Sequence, residues 1–125
     1  MTRDDLVVLA VDDDMINLKL LKSMLNKSGK VKEVIEAKNG SDAIGVLKSR
    51  DDIDIILLDI IMPIMGGIDM LKVVRADDNL RQLPIIVLTT DETKKAEALE
   101  CGANGFLMKP IRNEDLIAKM STVIV

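Results

Sequence analysis

No histidine, tryptophan or tyrosine occurs in this sequence, and a single phenylalanine, Phe106, is its only aromatic. Without histidine the commonest general base, proton shuttle and transition-metal ligand is missing. Chemistry here must run on carboxylates, lysine, hydroxyls and hard cations. The near absence of aromatics makes the core aliphatic, built from Leu, Ile, Val and the eight methionines, whose flexible thioethers fill irregular gaps. Cys101 is the only cysteine, so no intramolecular disulfide can form, which fits a reducing cytosol. No stretch reaches the roughly 18 apolar residues of a membrane span, and the charged opening Met1–Asp5 is no signal peptide. The expectation is a cytoplasmic protein without membrane contact. An excess of basic residues is lacking too. A net charge of −4 argues against direct nucleic-acid binding, which needs clustered Lys and Arg.

What is present suffices for one domain over residues 1–125, with 48% hydrophobic and 30% charged residues. No repeat, low-complexity tract or internal linker divides it. Four apolar runs each end on a polar residue: Leu6–Val11 on Asp12, Ile55–Leu58 on Asp59, Ile85–Leu88 on Thr89, and Phe106–Met108 on Lys109. Such short runs read as buried parallel strands. The first strand, Leu6–Val11, precedes a helix from Met15 to Ser28, whose Met15, Leu18, Leu21 and Leu25 keep helical spacing and which Gly29 stops. A strand over Glu33–Ala37 leads through the turn pair Asn39–Gly40 to Ser41, the expected N-cap of a helix to Ser49. The third strand is Ile53–Leu58. A loop, Asp59–Gly67, then precedes a helix over Ile68–Arg75. Asp77–Leu83 is a polar connector, Pro84 opens the fourth strand, and a helix over Thr93–Glu100 is closed by Gly102. Gly105–Met108 is the fifth strand, and Asn113 is expected to cap a last helix running to Val123. This alternation is that of an α/β fold, with parallel strands, right-handed crossovers and five helices around a doubly wound five-stranded sheet.

In an open α/β sheet the ligand crevice lies at the carboxyl ends of the strands. Asp12, Asp13, Asp14, Asp59, Thr89 and Lys109 therefore share one edge, although they stand far apart in sequence. An acidic first turn suits a helix N-terminus, which accounts for Asp14. It does not account for all three acids with Asp59 beside them. Like charges at close range raise each other's pKa unless a cation neutralises them. Mg²⁺, held by one or two carboxylates, water and substrate phosphate, meets that requirement. Asp59 alone would pass for a turn residue, but beside a metal a carboxylate can attack phosphorus and form an acyl phosphate. Lys109, placed directly after Phe-Leu-Met, faces a low-dielectric edge and calls for a nearby anion. Pro110 turns the chain, and the peptide before it is one of the few kinds open to the cis form. Thr90, at a strand end, needs no functional explanation.

Val-Asp-Asp at 11–13, Leu-Leu-Asp at 57–59, Met-Pro-Ile-Met-Gly-Gly at 62–67, Pro-Ile-Ile-Val-Leu-Thr at 84–89 and Gly-Phe-Leu-Met-Lys-Pro at 105–110 together resemble the receiver domain of bacterial two-component response regulators. The resemblance covers essentially the whole chain in the right order. It implies a flavodoxin-like sheet of order 2-1-3-4-5. It also implies Asp59 as phosphoacceptor, with Asp13 and the backbone carbonyl of Ile61 on Mg²⁺ and Asp12 acting mainly through water. Lys109 would pair with the phosphoryl group, Thr89 would hydrogen-bond to it, and Phe106 stands at the position of the switch aromatic. The implied partners are a sensor histidine kinase or histidine phosphotransfer protein upstream and a downstream protein or output domain. Two departures stand out. Gly66 replaces a common Asp, and Thr90 replaces a common Ala; neither removes a catalytic group.

Other functions fit less well. A phosphohydrolase of the haloacid-dehalogenase type needs an acid two residues after its nucleophile, where this chain has Ile61. An FMN carrier of the flavodoxin type would not place Asp12–Asp14 against a phosphate. With no histidine, the chain cannot itself be the phosphohistidine donor. The apolar ending Ser121–Val125 reads either as a helix end on the core or as a junction to further chain.

Overall fold

The computed structural model describes residues 5–124; residues 1–4 and 125, which belong to the opening and ending segments read above, lie outside it. Five parallel strands, β1 (Leu6–Val11), β2 (Val31–Ala37), β3 (Ile55–Asp59), β4 (Ile85–Thr89) and β5 (Gly105–Met108), form one sheet in the order β2-β1-β3-β4-β5. The helices between and after them are α1 (Met15–Lys27), α2 (Gly40–Ser49), α3 (Gly67–Ala76), α4 (Lys95–Glu100) and α5 (Asn113–Val123). The expected flavodoxin-like arrangement is the one found. Among the described residues no helix is long and apolar enough to cross a membrane.

Strand alternation divides the core into two layers. Val7, Leu9, Val11, Ile56, Leu58, Ile85 and Val87 face Ala43 and Leu47 of α2, Met70, Leu71 and Val74 of α3, and Ala98 of α4. Their neighbours Leu6, Val8, Ala10, Ile55, Leu57, Ile86 and Leu88 face Leu18, Leu21 and Leu25 of α1 and Leu116 and Met120 of α5. Burial on both faces explains why the strands read as continuous apolar runs. No aromatic is needed, because interleaved aliphatic side chains fill a helix–sheet layer.

Local chemistry moves several boundaries. The N-cap of α2 is Asn39, not Ser41: Asn39 Oδ1 accepts the Asp42 N–H at 2.8 Å, so the helix begins at Gly40. For α5 the residue at the cap position is Arg112, with extended backbone and no capping side chain; Asn113 is already helical. Glu114 and Asp115 in the first turn compensate by facing the positive end of the helix dipole. β2 starts two residues earlier than expected because Leu6 pairs with Val31. β3 starts at Ile55, since Asp54 is occupied with Val7, donating its N–H to the Val7 carbonyl and accepting the Val7 N–H on Oδ2. A short 3-10 turn, Glu92–Lys94, precedes α4, opened by the Asp91 side chain on the Thr93 N–H. Gly29 ends α1 at φ 73°, a left-handed conformation that glycine adopts without strain.

Gly45 lies exposed in the middle of α2 with open space where a Cβ would be. Gly45→Ala is therefore expected to stabilise the protein by about 1 kcal/mol, read as a higher urea midpoint at unchanged slope.

Candidate functional site

The sheet delivers each polar group because each strand ends where its apolar run ends. Asp12 follows β1, Asp59 closes β3, Thr89 closes β4 and Lys109 follows β5. Asp12, Asp59 and Thr89 are buried, whereas Asp13 is exposed. Carboxylate oxygens of Asp12, Asp13 and Asp59 lie within 4.8 Å of one another.

Lys109 Nζ donates to Asp12 Oδ2 at 2.9 Å and lies 3.5 Å from Asp59 Oδ1. The anion that the lysine called for is thus supplied chiefly by Asp12, a pairing the sequence did not disclose. The other oxygen of Asp12 accepts the Asp14 N–H at 3.0 Å, which fixes the carboxylate between the start of α1 and β5. Asp14 caps α1, accepting from the Ile16 and Asn17 N–H groups, as its position suggested. The Lys109–Pro110 peptide is cis.

Burial dominates the electrostatics of Asp59. Desolvation pushes its pKa up to about 6; Lys109 opposes the shift and the Asp12 charge adds to it. Burial on its own would lower the Lys109 pKa, but the Asp12 hydrogen bond and the charges of Asp59 and Asp12 outweigh it and hold the ammonium above the usual lysine range. One cation thus faces more than one buried negative charge. A hard divalent ion fits the remainder: the three donors are carboxylate oxygens, and one of the three acids is open to solvent.

Thr89 is buried at the end of β4, and its Oγ1 accepts the Asp91 N–H at 3.2 Å. This bond ties the hydroxyl to the loop leading to α4. Thr90, next in sequence, is exposed. Phe106 pairs in register with Val87, and its partly buried ring packs on the layer covered by α2, α3 and α4. Ile61 stands 61% exposed in the loop after β3, two residues beyond Asp59. Gly66 occupies the N-cap position of α3 without a side-chain bond.

Comparison with known proteins agrees with this geometry. Residues 8–121 match the family described as "Response regulator receiver domain". Chemotaxis protein CheY1 of Helicobacter pylori (strain J99) is 36% identical over 120 residues, covering 94% of this chain and 95% of that protein. The structure of chemotaxis response regulator CheY4 of Vibrio cholerae superposes with a TM-score of 0.85 at 33% identity, covering 94% of this chain and 98% of the other. The receiver domain of sensor histidine kinase PA1611 from Pseudomonas aeruginosa, with a magnesium ion coordinated in its active-site cleft, gives 0.86 at 27% identity, covering 95% and 97%. A sheet order, an acidic group at the strand ends and a sequence match over most of the chain agree: the protein belongs to the response regulator receiver domain family.

Proposed function

We propose that this chain is a phosphorylatable signalling switch that takes a phosphoryl group from a partner's phosphohistidine onto Asp59 and later loses it to water. The observation that carries this reading is a buried Asp59 carboxylate set between a group of acids close enough together to hold a cation and the Lys109 ammonium. An Asp59 oxygen attacks phosphorus as the P–N bond of the phosphoimidazole breaks, and the departing imidazole takes up a proton. Water then attacks the acyl phosphate, releasing inorganic phosphate and the free carboxylate. Lys109 pairs with the phosphoryl oxygens and offsets the charge that develops on them. The Thr89 hydroxyl donates to one of those oxygens.

Asp13, Asp59 and the Ile61 carbonyl would hold Mg²⁺, with Asp12 contributing through water. When bound, the ion supplies positive charge to the carboxylates and to the phosphoryl oxygens. The donor is a sensor histidine kinase or a histidine phosphotransfer protein, the recipient of the signal is a downstream protein or output domain, and the setting is cytoplasmic. The chain acts on its own Asp59 only and turns over no separate substrate. The test is intact-mass analysis after incubation with acetyl phosphate and Mg²⁺. One phosphoryl adduct is expected, and its absence would refute the reading.

Output would run through Thr89. Drawing its hydroxyl toward the phosphoryl group loosens the Asp91 N–H bond and frees space beside Val87, where the ring of Phe106 can turn inward. Phenylalanine has no hydroxyl to satisfy, so the inward state costs little even before phosphorylation and the switch is graded. Selectively labelled Phe106 is expected to change its NMR environment on adding a beryllofluoride mimic. An unchanged ring would send the signal by another route.

A further inference from the structure

The loop between β3 and α3 starts at the Asp59 carboxylate and carries the Ile61 carbonyl, and its outer side rests on the first residue of α2. Gly40 is buried, and its N–H donates to the Met65 carbonyl at 3.0 Å. This N–H is one of the helix N-terminal donors that have no partner within the helix. A Cβ at Gly40 would lie 2.6 Å from Met65 Cγ, 2.8 Å from the Met65 carbonyl oxygen and 2.9 Å from its sulfur. Since one of these atoms is backbone, a side chain here must displace the loop itself. At the other end the Gly67 N–H closes on the Ile60 carbonyl at 2.8 Å. Between the two pins Met65 N–H donates to the Pro63 carbonyl, and Ile64 is held at φ 67°. A β-branched residue keeps that conformation only where its surroundings impose it.

We propose that Gly40 is a positioning residue for the cation site: by admitting Met65 against α2 it sets the path of residues 60–66, and so where the Ile61 carbonyl stands relative to Asp13 and Asp59. The inference rests on the reading of those three groups as cation ligands.

In the full chain, Gly40→Ala is expected to raise the Kd for Mg²⁺ about tenfold, as loss of a ligand-orienting contact does elsewhere. It should also speed amide exchange at residues 60–66 in the metal-free protein. Met120→Ala, in the opposite core layer, should lower Tm and leave the Mg²⁺ Kd unchanged. If Gly40→Ala also lowered Tm with a parental Kd, its role would be structural only and the proposal would fail. Should Gly40→Ala not fold, Met65→Ala removes the side-chain half of the contact, the Cγ and sulfur that pack on Gly40, and leaves the Gly40 N–H bond to the Met65 carbonyl in place. Weaker Mg²⁺ binding and faster exchange at 60–66 are expected there, and parental values of both overturn the proposal. The Mg²⁺ titration of the parent chain separately decides the cation reading: a parent that binds no Mg²⁺ refutes that reading, whereas a parent that binds it beside an unaffected variant refutes only the role of Gly40.

Discussion

Asp59→Asn is expected to take up no phosphoryl group from acetyl phosphate and Mg²⁺, and to be more stable than the parent above neutral pH when metal-free. The first effect follows from the loss of the attacking oxygen, since a carboxamide is no nucleophile toward phosphorus. The second follows from burial. Desolvation raises the Asp59 pKa to about 6 from an ordinary 3.8. A carboxyl whose folded pKa is raised holds its proton more tightly in the native state. Its contribution to stability is therefore full below the unfolded pKa and is lost as pH rises through about 6. A shift of this size, in which the attraction of Lys109 is already included, corresponds to about 3 kcal/mol, and a gain of about 1–3 kcal/mol is expected at pH 8. Urea unfolding of both proteins at pH 5 and pH 8 measures it. The difference between them should open as pH rises. A difference that stays constant would mean the carboxylate is not desolvated, and a surviving adduct would move the phosphoacceptor elsewhere.

The fold was legible because its strands are buried on both faces and end abruptly. Leu6–Val11, Gly105–Met108 and the apolar part of β3 and β4 announce themselves as uninterrupted apolar runs, and the polar residue after each marks the sheet edge. The half-exposed edge strand β2 was harder to delimit: Val31 and Lys32 carry no distinct pattern, and only the pairing of Leu6 with Val31 places them in the sheet. Caps failed where two suitable residues stood together, as Asn39 and Ser41 did, because propensity does not say which one has the extended backbone. That Asp12, Asp13, Asp59, Thr89 and Lys109 share one sheet edge could be read from the strand ends, but their wiring could not. That Lys109 binds Asp12 more closely than Asp59 depends on side-chain reach across the sheet. Arg75 is the extreme case. It ends a helix and looks like a solvated charge, yet its guanidinium donates to the carbonyls of Gly102, Arg81 and Leu83 and to Asn104 Oδ1. Those contacts join two loops at the end of the sheet opposite the site, and no local pattern encodes them.

Asp13→Ala is expected to cut the stabilisation of the protein by Mg²⁺ to less than about half while leaving its metal-free stability nearly unchanged. The three acids differ in what else they do. Asp12 holds Lys109 and the start of α1, so removing it leaves the lysine with Asp59 alone and disturbs the helix entry. Asp59 is the proposed phosphoacceptor, and its removal changes the chemistry as well as the cation site. Asp13 is exposed, so its loss opens no buried cavity. What it gives up is a hard oxygen ligand. Mg²⁺ requires near-octahedral oxygen donors and retains water wherever the protein supplies too few. Loss of one charged ligand of two should therefore weaken binding at least as much as loss of an orienting contact, by about 10- to 100-fold. A ligand at 100 times its Kd stabilises the native state by about 2.7 kcal/mol. At the Mg²⁺ concentration where the parent gains this much, the variant should gain less than about half of it. Thermal melts of both proteins across a Mg²⁺ series read the difference directly. If Asp13→Ala is stabilised as strongly as the parent, the cation binds away from the strand ends, and the assignment of Asp13, Asp59 and Ile61 as its ligands is wrong.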